Sequence, residues 1–196
     1  MSDTKVKVGL SCEGKNSDLP VLRILVKRLL DINEIDFEIK KEIPAGSGII
    51  GFARAHTEEF FEEADPVDIG IYLTDQDDPN ANRKKQVRDE IIKVNEVLAN
   101  YTIIGVPDPH IEAWLIADQD LVKNIFGFRG EEKLPKENLK PKDRITYFQR
   151  NMTSNSILLY DAYERLANES NLKIIMDRCP EFADFSESLK AVCNSL

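Results

Sequence analysis

The sequence predicts an α/β fold in which a mainly parallel sheet of about four strands has helices on both faces and is followed by C-terminal helices. Short apolar segments alternate with longer segments of helical periodicity, which is the order of elements in a layered α/β protein. One of them, Val67 to Thr74, is nearly all apolar, as a parallel strand covered on both faces requires. The length of 196 residues fits one domain.

The first three elements form a strand–helix–strand unit. Lys5 to Cys12 is a short apolar run bounded by a turn signal, which predicts a buried strand. Ser17 and Asp18 are expected to cap a helix that continues to Ile32. The segment Asp36 to Ile43 alternates apolar and charged residues, which favours a strand near an edge of the sheet.

The next segments repeat this alternation. Residues 44–51 contain three glycines and predict a flexible loop. The elements predicted after the loop are a helix from Phe52 to Ala64, the strand from Val67 to Thr74, a helix from Asn82 to Ala99, a strand from Tyr101 to Val106 and a helix from Ile111 to Val122.

The composition changes after residue 125. Residues 126–148 contain two prolines and many charges, which predicts a loop or lid. Amphipathic helices are predicted from Leu158 to Asn168 and from Phe182 to Cys193. We therefore expect an α/β core over residues 1–125, with the loop or lid and the helices of residues 126–196 packed on the same domain.

Composition restricts the class of protein. No apolar run approaches the ~18 residues of a membrane span, and the N-terminus lacks a signal-peptide layout, so we expect a cytoplasmic protein without membrane contact. Three cysteines fit neither a paired disulfide framework nor a zinc spacing. The net charge of −9 argues against a protein that coats nucleic acid without sequence preference. The segment Arg129 to Arg150 departs from this acidity, with seven basic and four acidic residues.

Acidic residues follow three of the predicted strands. Glu13 follows the first, the sequence DQDD at 75–78 follows the third, and Asp108 and Glu112 follow the fourth. Because the carboxyl ends of parallel strands line one crevice, these carboxylates are expected to converge. Like charges a few Å apart repel by roughly 1 to 4 kcal/mol per pair, so such a cluster requires a proton or a divalent cation. We expect the cation.

These residues resemble the TOPRIM fold, which serves topoisomerases, bacterial primases and OLD-type nucleases. The shared features are a strand that ends in Glu13-Gly14, a later strand that ends in an Asp-x-Asp at 75–77, and the α/β layout between them. The resemblance extends to stand-alone bacterial TOPRIM-like proteins through the stretch PDPHIEAWLIAD at 107–118. Their C-terminal pattern matches Pro141-Lys142-Asp143, Tyr160 to Tyr163, and Cys179-Pro180 with Phe182, so the resemblance covers nearly the whole chain.

The resemblance implies that Asp75 and Asp77 hold Mg²⁺ or Mn²⁺, since hard cations prefer carboxylate and phosphate oxygens. Glu13 would share the ion or act as the catalytic general acid or base. Asp78 would bind the ion through water or cap the next helix. Glu112 would supply a ligand to a second ion, and two ions together can activate water for phosphodiester hydrolysis.

Basic residues are candidates for contacts with nucleic acid. Lys84, Lys85, Lys142 and Arg144 would hold the backbone, and Arg54, which follows the glycine-containing loop, would help to hold a phosphate. A solvated charged face explains the lysines almost equally well, and a plain flexible connection explains the loop.

The remaining polar residues have simpler interpretations. His56 and His110 have no metal-ligand spacing; His56 is expected on a helix surface, and His110 is a candidate for proton transfer. Asp118 cannot share a helix face with Glu112 and is expected to be a cap or a surface residue.

Three functions remain open at this point. The first is a Mg²⁺- or Mn²⁺-dependent nuclease that hydrolyses phosphodiester bonds of nucleic acid, for which the resemblance alone implies a role in defence against foreign DNA. The second is a non-catalytic TOPRIM-like subunit that binds a separate ATPase, because the chain has no GxxxxGK[ST] motif. The third is a phosphatase of the haloacid-dehalogenase type, which also uses a strand-end Asp-x-Asp.

Overall fold

The computed structural model describes residues 5–46, 48–62, 64–130, 135, 139–151 and 157–196. Its centre is one sheet of four parallel strands in the order β2-β1-β3-β4. The strands are β1 (Val6–Cys12), β2 (Phe37–Pro44), β3 (Ile69–Leu73) and β4 (Thr102–Gly105). The predicted α/β class with a four-stranded parallel sheet is therefore confirmed.

Helices cover both faces of the sheet. Successive side chains of each strand point to opposite faces, so each face contributes to a core with the helices that cover it. In β1, Val8 and Leu10 point into a core shared with α1 (Asp18–Ile32) and the C-terminal helices. Gly9 and Ser11 point to the other face, towards α2 (Ile49–Phe61). The smaller core on that side also includes Tyr72 of β3 and residues of α3 (Arg83–Ile92).

Successive strands are added on opposite sides of β1. The chain runs from β1 through α1 to β2 at one edge, and then returns through α2 to β3 on the other side of β1. The loops after β1 and β3 therefore diverge to opposite faces and leave a crevice between them. Ligands of open α/β sheets bind at such a switch point.

The C-terminal half covers the α1 face of the sheet. Its helices are α4 (Glu112–Leu115), α5 (Gln119–Ile125), α6 (Pro141–Asn151), α7 (Leu159–Glu169), α8 (Leu172–Arg178) and α9 (Pro180–Cys193). Trp114 is fully buried against Phe182 and Phe185 of α9. Arg28 of α1 donates hydrogen bonds to the carbonyl oxygens of Ala167 and Ser170, which joins α1 to the end of α7.

Two helices in the N-terminal half differ from their predicted bounds. The helix predicted to begin at Phe52 begins at Ile49, inside the expected loop, because Gly48 adopts a left-handed conformation and Glu13 accepts the Ile49 N–H. The helix predicted to reach Ala99 ends at Ile92 instead. Asn95 then caps a separate 3₁₀ turn, Glu96–Tyr101, by accepting a hydrogen bond from the Val97 N–H.

Three further corrections lie in the C-terminal half. The helix predicted from Ile111 to Val122 is divided into α4 and α5 by Asp118, which caps α5 as expected. Part of the predicted lid is helix α6, which buries Ile145 and Phe148. Helix α8 was not predicted. The lid residues 131–134 and 136–138, with the charges Glu131, Glu132, Lys133, Lys136 and Glu137, lie outside the described residues.

Two expectations from composition can be compared with the structure. All three cysteines are free thiols, in agreement with the absence of a disulfide framework. Among the described helices, none combines the length and the apolar character that crossing a membrane would require.

Candidate metal centre

Three side chains meet where β3 and β4 end. Asp75, Asp77 and His110 each offer one ligand atom, and these atoms lie within 4.8 Å of one another. The Nδ1 atom of His110 is 3.2 Å from an Asp75 carboxylate oxygen and 3.5 Å from an Asp77 carboxylate oxygen. Among the described residues, this is the one group of three or more Asp, Glu, His or Cys side chains whose ligand atoms have the spacing of a metal site.

Backbone hydrogen bonds hold the two loops together. The Gln76 N–H donates to the carbonyl oxygens of Pro107 and Pro109, at 3.1 and 3.0 Å. The Gln76 side-chain amide donates to the carbonyl oxygens of Asp78 and Ala81, both at 2.7 Å, which closes the loop after β3 on itself. The loop after β3 is thus fixed against the loop that carries His110.

The backbone of Asp77 also has an unusual conformation. Its φ of 24° lies on the left-handed side, which side-chain-bearing residues rarely adopt. Such a conformation persists only where the surrounding contacts maintain it, as the Gln76 bonds do here. It leaves the Asp77 carboxylate exposed and beside His110.

The electrostatic environment of Asp75 opposes its ionisation. Burial is the main cause that raises the pKa of Asp75 to about 7, and the negative charge of Asp18 adds to it. His110 acts in the opposite direction, while Glu112 and Glu13 raise the pKa further. Asp75 is therefore surrounded by carboxylates, and a proton or a bound cation would relieve their repulsion.

Glu13 lies at the same edge of the sheet without belonging to the triad. One oxygen of its carboxylate accepts hydrogen bonds from the Ile49 N–H and the Thr74 hydroxyl, both at 3.3 Å. It thereby satisfies the first turn of α2 while its charge acts on Asp75. Its expected role as a ligand or general acid/base stays a prediction.

The other two expected ligands, Asp78 and Glu112, differ in their exposure. Asp78 is exposed and accepts a hydrogen bond from the Asn80 N–H; the cap of α3 is Asn82, so the alternative role of Asp78 as that cap was wrong. Glu112 is buried and accepts a hydrogen bond of 2.8 Å from the Tyr163 hydroxyl. Neither carboxylate belongs to the triad.

Sequence reasoning missed the contributions of Asp18 and His110. Asp18 was expected only to cap α1, but it accepts a 2.8 Å hydrogen bond from the Gly14 N–H and lies close enough to Asp75 to raise its pKa. His110 was expected only as a candidate for proton transfer, and its lack of a metal-ligand spacing kept it out of the predicted ligands. Its position in the turn after β4, between Asp108 and Glu112, was the available signal.

The expectation for His56 was also wrong. His56 is buried between α2 and the sheet, where its ring nitrogen lies 2.7 Å from the Ser11 hydroxyl. Burial lowers the pKa of His56, which keeps the imidazole neutral. A hydrogen-bonding partner on the facing strand accounts for a polar side chain inside this core.

The predicted nucleic-acid residues lie on different surfaces. Lys142 lines a cavity of about 240 Å³ together with Asp75 and His110. Lys84 and Lys85 line a separate groove between α3, β4 and α9. Arg144 lines another cavity with Phe148 and Pro135, and Arg54 is exposed and paired with Glu58 at 3.1 Å. Lys142 therefore shares a cavity with two of the three triad residues.

Comparisons of the chain with protein-family models, with curated proteins and with solved structures gave no match.

Proposed function

We propose that this chain is a TOPRIM-like, divalent-cation-dependent hydrolase that cleaves phosphodiester bonds of nucleic acid. The observation that carries the proposal is the meeting of Asp75, Asp77 and His110 at the carboxyl ends of β3 and β4. This edge lies beside the switch point of the sheet, where α/β proteins bind ligands. A bound cation would offset the repulsion between the carboxylates of this cluster.

The ligand types support Mn²⁺ over Mg²⁺. Both cations accept carboxylate oxygens, but Mg²⁺ is usually held by oxygen atoms alone. An imidazole such as that of His110 favours first-row transition ions. A bound ion of this kind supplies Lewis acidity and an activated water molecule for hydrolysis.

The protein groups around the ion have separate tasks in this proposal. Asp75 and Asp77 hold the ion from the loop after β3, and His110 completes the set from the loop after β4. Glu13 stands at the end of β1 as the candidate general acid or base. Lys142, in the same cavity as Asp75, is suited to hold a phosphate oxygen of the substrate.

Nucleic acid is the proposed substrate because the site can offer a phosphodiester both a bound cation and a nearby basic group. An acidic protein needs both to bind such an anion. The net charge of −9 repels a polyanion at long range. A divalent ion and Lys142 would reverse that repulsion locally. The non-catalytic subunit of a separate ATPase and the phosphatase remain alternatives, and no contact at the site favours either of them.

The test is a cleavage assay with purified protein and labelled single-stranded and duplex DNA and RNA. Cleavage is expected with Mn²⁺, less with Mg²⁺ and none with EDTA. Asp75→Asn and Asp77→Asn should each abolish it, whereas Asp120→Asn, at a side chain that is 99% exposed on α5, should not. Full activity in Asp75→Asn would refute the proposal, and turnover of simple phosphate monoesters alone would replace it with the phosphatase.

A further inference from the structure

The cavity beside the metal centre has two chemically different walls. One wall is polar and charged, and the other is formed by the first turns of α7. The charged wall consists of Ser17, Asp18, Asp75, His110 and Glu112, and the α7 wall of Leu159, Tyr160 and Tyr163. Lys142 of α6 completes the lining. A ligand that enters together with a divalent cation would be anionic at the end near the charged wall and apolar at the end near α7.

Tyr160 is placed at the mouth of this cavity. Tyr160 is 53% exposed, although the neighbouring Ala162 and Tyr163 are buried. Within the part of the chain that the structure describes, no aromatic ring packs on Tyr160. A half-exposed aromatic ring beside a cavity offers a face on which a planar group can stack.

Lys142 gives the cavity its positive charge. The residue is exposed, and its ammonium group forms no ion pair with any described residue. No carboxylate of the described residues therefore competes, by an ion pair with this ammonium group, with an anion that enters the cavity. Because three carboxylates, Asp18, Asp75 and Glu112, share the lining, such an anion would be repelled unless a divalent cation were also bound.

We infer that this cavity binds one nucleotide of a single strand, with the phosphate between the ion and Lys142 and the base against Tyr160 and Leu159. The inference rests on the proposed metal-dependent function and adds the substrate class. A base can lie on Tyr160 only if it is unstacked from its neighbours, which a single strand allows and a duplex resists. The enzyme therefore selects single-stranded over duplex nucleic acid.

Equilibrium binding tests this assignment. The probe is a fluorescent single-stranded oligonucleotide with phosphorothioate linkages in the presence of Mn²⁺, measured by anisotropy beside its duplex and beside a mononucleotide. The single strand should bind at least 10-fold more tightly than the duplex, and EDTA should abolish binding. Tyr160→Ala should weaken single-strand binding by about 5- to 100-fold, as the loss of one base–aromatic stack does.

Matched variants separate stacking from other effects. Tyr160→Phe should bind the strand like the wild type, and Lys142→Arg should retain more affinity than Lys142→Ala. Leu158→Ala is the control, because Leu158 is 69% exposed beside Tyr160 and does not line the cavity. Equal binding of strand and duplex, or unchanged binding in Tyr160→Ala, would overturn the inference. A mononucleotide that binds as tightly as the strand would reassign the cavity to free nucleotides.

The failure of this inference is distinguishable from failure of the proposed function. Mn²⁺ titration of Tyr160→Ala should match the wild type, since Tyr160 is not a ligand. If the wild type binds Mn²⁺ and cleaves nucleic acid while Tyr160→Ala binds the strand normally, only the substrate assignment is wrong. If the wild type does not bind Mn²⁺, the metal centre itself is wrong, and the inference is overturned with it.

Discussion

The Nδ1 atom of His110 lies 3.2 Å from a carboxylate oxygen of Asp75, across two loops that follow adjacent parallel strands. The contact joins residues 35 positions apart in the chain. It depends on the hydrogen bonds from the Gln76 N–H to the carbonyl oxygens of the neighbouring loop. This relationship converts an acidic strand end into a mixed carboxylate–imidazole set, and the predictions on metal preference follow from it.

Replacement of His110 should change metal preference more than overall metal binding. In His110→Ala, we expect Mn²⁺ affinity to fall by about 10-fold or more, because the imidazole is the ligand that favours a transition ion. Mg²⁺ affinity, which depends on the carboxylates, should fall less. Calorimetric titration with each ion measures the ratio. An equal loss for both ions would show that His110 only positions the carboxylates.

Asp75 should make the stability of the metal-free protein depend on pH. Because burial raises the pKa of Asp75 from 3.8 to about 7, the native state holds this proton more tightly than the unfolded chain. The resulting stabilisation is fully present below pH 3.8 and is lost as the pH rises through about 7. Asp75→Asn should therefore raise the free energy of unfolding at pH 8 by on the order of 1 to 4 kcal/mol.

Urea unfolding in EDTA at pH 5 and pH 8 measures this difference. The variant should gain much less at pH 5, where Asp75 of the wild type is still protonated. Saturating Mn²⁺ should reverse the order of stability at pH 8, because only the wild type binds the ion fully. A gain that is the same at both pH values would contradict the account of Asp75.

The buried Glu112 should depend on the hydroxyl of Tyr163. Tyr163→Phe removes the 2.8 Å hydrogen bond and leaves a buried carboxylate without that donor, so the free energy of unfolding should fall by about 1 to 3 kcal/mol. Tyr160→Phe is the control, since Tyr160 is exposed on the same helix. Thermal or urea unfolding compares the two. Equal stabilities of the two variants would mean that the bond contributes nothing.

Gly9 should tolerate no side chain. A Cβ atom at Gly9 would lie 2.8 Å from ring atoms of the buried Phe60, so Gly9→Ala must displace the Phe60 ring or the part of α2 that carries it. We expect a loss of about 1 to 3 kcal/mol of stability. Gly51→Ala is the matched change, because no atom lies within 4 Å of its Cβ and Ala favours the helix. A stable Gly9→Ala protein would show that this close approach is not needed.

The sequence was sufficient to predict the sheet and part of the site. Three apolar runs of strand length and one alternating segment, separated by helical segments, predict a parallel sheet, and parallel strands end at a common edge. The placement of Asp75 and Asp77 at that edge followed from topology alone. The all-apolar segment around Ile71 and Leu73 was the clearest signal, because both its faces are buried.

The missing parts depend on contacts that no local pattern encodes. His110 joins the site through the bonds between the loops after β3 and β4, and the loop after β4 has no metal-ligand spacing of its own. His56 is buried because Ser11 of β1, 45 residues earlier, offers a hydrogen-bond partner on the sheet face that α2 covers. The early start of α2 likewise depends on Glu13, a distant residue that accepts the Ile49 N–H.

Direct titration with Mn²⁺, followed by electron paramagnetic resonance, tests the central claim that the carboxylates and His110 form a cation site. The account predicts saturable Mn²⁺ binding by the wild type and by Asp120→Asn, with the affinity lowered at least 10-fold in both Asp75→Asn and Asp77→Asn. Absence of binding by the wild type, or binding that both variants retain unchanged, would contradict it.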